Sequence, residues 1–233
     1  MKNHLLNLSL DYAACVELLD MWQTELPEGR LSLSQKKHAI IYMDEKGASI
    51  FEFRLPLPMP AILEEEELEE YIDRLEEDVP PYTMMLMQMG AAALGYFEDG
   101  EPYQHKAFKK YMKRHGQGKA QISYLNTRGK SKAGSRIRLA NTIRFFEEVN
   151  ERMTDWEEMY EPERILYSCT PQLWGLLFQS KVPPPFEKKD RRLIKIPLHV
   201  HIPDFEELQR INKQCLKGYL QVHQPTEIPG IHG

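Results

Sequence analysis

The chain has 233 residues, 42% of them hydrophobic and 28% charged, enough for one sizeable core or for a core with an appended lobe. No apolar run approaches the roughly 20 residues that a membrane-spanning helix needs. Three widely separated cysteines, Cys15, Cys169 and Cys215, suit neither a zinc finger nor a disulfide framework, and they point to a reducing compartment, the cytoplasm.

In chain order, the start MKNHLLNLSLDYAACVELLD reads as helical in pattern rather than as a secretion signal. Tyr12, Val16, Leu19 and Trp22 recur at helical spacing and predict an amphipathic helix over 10–26. HAIIYM at 38–43 and ASIFEFRL at 48–55 are β-rich, and the intervening Asp-Glu-Lys-Gly predicts a hairpin with Gly47 in its turn. Pro56, Pro58 and Pro60 interrupt regular structure before an acidic surface helix expected over 64–78, with Leu63, Leu68, Ile72 and Leu75 along one face. Residues 82–89, 91–97 and 103–111 predict three strands, the second and third joined through Asp99-Gly100.

A glycine-rich polar stretch follows, RHGQGKAQISYLNTRGKSKAGS, long for a loop in a compact domain. A helix is expected from about Ser135 to Met153, with Leu139, Ile143, Phe146 and Met153 on its apolar face. Beyond it come a strand at 164–169, a helix at 171–180 opened by Pro171, and a strand at 193–200. The final helix starts near Asp204, with Glu207 as its capping-box partner, and a tail from 221 is expected to lack structure. Hairpins together with alternating strands and helices predict a mixed α/β sheet flanked by helices.

The net charge of −5 hides a sharp segregation. Residues 61–80 hold ten acidic side chains and one basic, Arg74, whereas residues 105–144 hold seven lysines, five arginines and no acidic residue. Such a local excess is what a phosphate-contacting surface requires, whatever the whole-chain balance. Arg136 and Arg138 lie in the first turn of the expected helix, where the helix dipole disfavours cations unless an anion binds there.

Conventional catalytic motifs are lacking: the sequence has no Walker, GxSxG or HExxH pattern and no evident carboxylate cluster for magnesium. His199 and His201 would share one face of a strand, but a third metal ligand is not identifiable, so no metal and no cofactor is expected. What remains is Arg114-His115-Gly116-Gln117-Gly118-Lys119-Ala120-Gln121. Glycines let this backbone approach a bulky ligand, and a glutamine amide can orient a water and steady an oxyanion. From the residues alone, ester cleavage and simple RNA binding stay equally open.

The stretches MLMQMGAAALGYFEDGE, HKAFKKYMKRHGQGKAQ, GKSKAGSRIRLAN and FEKKDRRLIKIPLHVHIPDFEELQRI, in that order, resemble the release-factor-like domain of the Vms/ANKZF family. These are peptidyl-tRNA-cleaving factors of ribosome-associated quality control, and the chain looks like a minimal, bacterial-type member. The resemblance implies a ribonuclease-H-like mixed sheet, like the middle domain of eukaryotic class-one release factors. It implies a release-factor-like domain over 81–220, carrying a glutamine loop at 112–133 and preceded by an unassigned addition at 1–80.

By the same resemblance Gln121 is the catalytic residue, supported by Tyr111, Arg114, Gln117 and Gly118. Lys109, Lys110, Lys113, Lys119, Arg128, Lys130, Lys132, Arg136 and Arg138 are then the expected RNA contacts. Lys119 and Ala120 depart from the Gly and Ser often found in the family. The implied partners are the large ribosomal subunit and peptidyl-tRNA, with no membrane. The implied reaction is ester hydrolysis or cleavage near the tRNA CCA end. A non-catalytic ribosome- or tRNA-binding factor is the alternative.

Overall fold

In a computed structural model the described residues are 6–27, 30–110 and 133–231, with the backbone alone for 133–139. The chain divides into two compact units. The first comprises residues 1–82, 98–101 and 212–233, and the second comprises 83–97 and 102–211.

The first unit is built on an antiparallel sheet of five strands: β1 (Leu6–Leu10), β2 (Leu31–Ser34), β3 (Ala39–Met43), β4 (Ser49–Arg54) and β10 (Gly218–Val222). Their order is β1-β10-β4-β3-β2. The β3–β4 hairpin turns at Gly47, whose φ of 77° lies in the left-handed region that glycine enters without steric cost. Asp44 closes the same turn by accepting from the backbone N–H groups of Lys46 and Ala48. Helix α1 (Tyr12–Glu25) is capped by the Asp11 side chain, which accepts from the Ala14 N–H. The helix turns Tyr12, Cys15, Leu18, Leu19 and Trp22 inward. Trp22 lies 4.8 Å from Phe51 and 5.3 Å from Phe53, ring centre to ring centre, at the heart of this core.

The second unit holds a mixed sheet, ordered β7-β6-β5-β8-β9, of β5 (Tyr82–Gln88), β6 (Ala91–Glu98), β7 (Glu101–Lys109), β8 (Arg164–Ser168) and β9 (Leu193–Lys195). Strands β8 and β9 are parallel neighbours, a pairing that needs a crossover, and α4 (Pro171–Phe178) lies in that connection. Thr170 caps α4 through the Leu173 N–H, with Pro171 in its first turn.

Helix α3 (Ala133–Tyr160) has 28 residues and is therefore about 42 Å long. It buries Phe145, Phe146, Val149, Met153 and Trp156 against Met85, Met87, Leu94 and Ile165 of the sheet. Asn150, fully buried on the same helix, donates its Nδ2 to the carbonyls of Leu177 (2.9 Å) and Val182 (2.7 Å). The last helix, α5 (Phe205–Cys215), opens as expected at Asp204, whose Oδ1 accepts from the Glu207 N–H at 3.0 Å.

Several expectations are corrected. Residues 6–10 form β1, and the helix begins only at Tyr12. The acidic helix is limited to α2 (Leu68–Ile72), with Glu65 at a φ of 60° before it and loop after it. Ile143 is 42% exposed, and Phe145 takes the buried position beside Phe146. Strand β9 stops at Lys195, two residues before Pro197, which has no N–H to give a sheet. His199 and His201 therefore lie in a loop, with ring centres 5.1 Å apart and nearly perpendicular. Residues 221 and 222 belong to β10, Ile228 is buried, and the Pro229 carbonyl accepts the Trp22 indole N–H at 3.1 Å, so this part of the expected tail is ordered.

Candidate functional site

The basic stretch expected as a loop falls between β7 and α3 in the chain, and both of these flanking elements are anchored. At the end of β7, Phe108 is buried in the core while Lys109 points to solvent. The next residue, Lys110, donates its backbone N–H to the Gly90 carbonyl at 2.9 Å, tying the strand end to the β5–β6 turn. Its side chain pairs with Glu148 on α3. Helix α3 is held in turn by its five buried apolar residues and by Asn150. Sites carried on rigid elements of this kind hold their geometry better than sites on unsupported loops.

Around these supports, Lys106 and Lys109 on β7 and Arg144 on α3 are exposed, and none of the three forms a salt bridge among the described residues. Sequence reasoning counted Lys106 and Arg144 in the cationic excess but did not single them out. Aromatic side chains border the cations. His105 stacks on Phe205 at 4.0 Å. Tyr103, 57% exposed, stands edge-on to Tyr160, which stacks flat on Tyr96 at 4.3 Å. Cations interleaved with accessible ring faces form the combination that contacts both phosphates and bases.

Of the residues expected to act, Lys109 and Lys110 are located as above. Tyr111, Lys113, Arg114, Gln117, Gly118, Lys119, Gln121, Arg128, Lys130 and Lys132 lie outside the described residues. Arg136 and Arg138 belong to the start of α3, and their side chains lie outside the described set.

A second polar cluster gathers on Glu207, which was expected only as a capping partner. Its carboxylate accepts from the His201 backbone N–H (2.6 Å) and from Arg210 Nε (2.7 Å), and its Oε1 lies 3.2 Å from His201 Nδ1. Arg210 also donates to the His199 carbonyl at 2.8 Å, and Gln88 donates to the carbonyls of Val200 and His201. The Arg210 hydrogen bond, helped by the His201 N–H, holds the Glu207 carboxyl down at about 2. The cluster thus fixes the loop between β9 and α5 through a carboxylate that is ionised at neutral pH.

Burial pushes the thiols of Cys15 and Cys215 up to about 12 and that of Cys169 to about 11, which leaves none of them a ready nucleophile. Among the described residues no group of three or more histidine, cysteine or acidic side chains could hold a metal ion, and no helix is long and apolar enough to cross a membrane.

Residues 82–223 match the family model described as the Bacteroidetes VLRF1 release factor. Among curated proteins, the tRNA endonuclease ANKZF1 of Mus musculus is 26% identical over 200 residues, covering 84% of this chain and 26% of that protein. The Homo sapiens protein of the same name is also 26% identical over 200 residues, covering 84% of this chain and 27% of its own length. The chain thus spans about a quarter of the length of the curated relatives it matches. A solved structure, the Vms1 mitochondrial localization core, aligns with a TM-score of 0.49 at 13% identity over 81% of this chain and 77% of that one. Since the family model matches more than half of the chain, from the first residue of β5 to the residue after β10, the chain belongs to the Bacteroidetes VLRF1 release factor family.

Proposed function

We propose that this chain is a translation rescue factor that cleaves peptidyl-tRNA on stalled ribosomes or large subunits, through a loop bearing Gln121. The observation that carries this reading is the release-factor family match over 82–223, a segment that contains the whole cationic stretch. The printed activity of the ANKZF1 relatives, tRNA endonuclease, adds support. The scaffold is compatible with it, because an ordered strand end and an ordered helix flank the loop on both sides.

In this reading the cations of 105–144 engage phosphates while the neutral Gln121 amide acts at the scissile bond. The amide either orients a water for attack on the ester or assists a ribose 2′-hydroxyl in attacking the adjacent phosphodiester near the CCA end. The second reaction leaves a cyclic phosphate on one product and a free 5′-hydroxyl on the other. Incubating ribosome-bound peptidyl-tRNA with the protein and mapping the tRNA 3′ end tests the proposal. An intact CCA end marks ester hydrolysis, and a shortened end marks endonucleolytic cleavage. Peptidyl-tRNA left whole at stoichiometric protein would refute both reactions.

The departures at Lys119 and Ala120 favour one other reading, a factor of the same fold that binds tRNA or ribosomes without cutting. Under that reading Gln121→Ala would leave every ribosomal outcome unchanged, while charge reversal in the loop would abolish binding.

A further inference from the structure

The opposite edge of the second unit's sheet carries a surface that the loop reading does not use. Strand β9 has only three residues and ends the sheet on the side away from β7, four strand spacings or roughly 19 Å across. In the parallel β8–β9 pairing Lys195 lies opposite Tyr167. Tyr167 is partly exposed and stacks on the partly exposed Trp174 of α4, ring centres 4.3 Å apart and 20° from parallel. Phe178 and Phe186 extend the aromatic group on its inner side.

The segment that leads into and forms β9 is rich in cations. Residues 181–195 hold six basic and two acidic side chains. One of the two acids, Asp190, is taken up by Arg192, which also pairs with Glu157. Lys188 lies 5.3 Å from the centre of the Phe178 ring. Lys189, Arg191 and Lys195 are exposed and engage in no salt bridge among the described residues. A surface that only needed solubility would not require stacked, partly exposed rings beside unpaired cations. That pairing of features suits a flexible polyanion with flat faces, as single-stranded RNA is.

We propose that this β9 edge, with the stacked rings of Tyr167 and Trp174, Lys195 opposite Tyr167, and the exposed Lys188, Lys189 and Arg191 of the segment leading into the strand, is a second RNA-binding surface that takes a single-stranded segment by base stacking and phosphate contact. It shares with the proposed function only the premise that the partner is RNA. Short edge strands discourage pairing with another strand, so the contact runs through side chains rather than through added β-structure.

The probe is a fluorescein-labelled 12-nucleotide uridine RNA, titrated into the full chain at several salt concentrations. The triple variant K189E/R191E/K195E, checked for an unchanged circular-dichroism spectrum, should bind about tenfold or more weakly. Its log-affinity against log-salt slope should be shallower by about 2, the loss expected for three single-strand phosphate contacts.

Trp22 and Trp156 are 0% and 3% exposed, so quenching of tryptophan emission by unlabelled RNA reports on Trp174. The quench should disappear in Trp174→Phe. A triple variant with parental affinity and slope, or a quench that survives in Trp174→Phe, would overturn the inference and leave an acidic polypeptide as the better occupant. A parent that cleaves peptidyl-tRNA but shows no quench removes this surface alone. A parent that shows the quench but does not cleave removes the catalytic reading alone.

Discussion

Lys110, one residue beyond β7, forms an ion pair with Glu148 in the middle of α3, Nζ to Oε1 2.9 Å, so the strand leading into the basic loop is bound to the helix leading out of it. Both side chains are about one-third exposed, and such pairs contribute at most about 1 kcal/mol to stability. Their geometric effect is larger than their energetic one, because catalytic rates respond to small displacements of a reacting group. Lys110→Met should therefore shift the urea midpoint only slightly while slowing peptidyl-tRNA cleavage several-fold. Exchanging the charges, Lys110→Glu with Glu148→Lys, should recover part of that rate.

Gln121→Ala should lower the cleavage rate by about 10²–10³-fold, the usual loss for one oxyanion-type contact. Affinity for large subunits should barely change, since a neutral amide adds little to a largely electrostatic interface. Single-turnover cleavage and a sedimentation binding assay on the same preparation separate the two. A variant that loses binding together with rate would mark Gln121 as structural.

Glu207 makes acid stability a readout of the loop between β9 and α5. Its carboxyl is held at about 2, below the ordinary value of 4.5, so it is ionised more readily in the folded chain than in the unfolded one. The stabilisation is complete above about pH 4.5 and is lost as pH falls from there towards 2. Glu207→Gln should cost about 1.5–3 kcal/mol at pH 7, the range for hydrogen bonds to a charged group, and much less at pH 2.5. Urea unfolding of parent and variant at the two pH values checks the sign.

The three thiols should resist alkylation in the native protein. With values near 12, 11 and 12, at most about one Cys169 thiol in a thousand is ionised at pH 8, whereas an ordinary cysteine is substantially ionised there. Ellman's reagent at pH 8 should label slowly and then rapidly report three thiols after denaturation. Cleavage activity should survive a short iodoacetamide treatment.

Asn150 offers a test of packing beneath the loop support. Asn150→Ala leaves two buried carbonyls unpaired and should cost roughly 2–4 kcal/mol. Asn150→Asp should be worse despite its near-identical shape, because an ionised carboxylate would face two carbonyl oxygens without a proton to share. An Asp variant more stable than the Ala variant at pH 7 would show that the amide orientation is otherwise.

Local rules made the central part of the fold legible. Gly47 and Asp99-Gly100 mark turns that only a few residue types tolerate, and both hairpins stand where those residues lie. Thr170-Pro171 and Asp204 mark helix starts in the same way. Long-range pairing left weaker marks. LNLSL, LSLS and GYLQV each alternate over only four or five residues, too short to be told from helix or tail until the partner strands are known.

Overlap with other signals misled at two more places. The run of glutamates after Pro60 favours helix by composition, but ten like-signed neighbours oppose a long one, and α2 stops at Ile72. At the candidate site, charge asymmetry located the cationic region from sequence. The accessible rings of Tyr103, His105 and Phe205 were not legible, because their exposure depends on which strand ends the sheet.

The position of β10 between β1 and β4 sets an order on synthesis. Strand β1 is made first, yet its sheet neighbour is β10, more than 200 residues later. The first unit cannot close until its late strand has emerged, whereas the second unit is drawn from residues 83–211 and can assemble earlier. During translation, the open edges of β1 and β4 wait for β10. A chain truncated before Gly218 would keep those edges permanently unpaired and would be prone to aggregation.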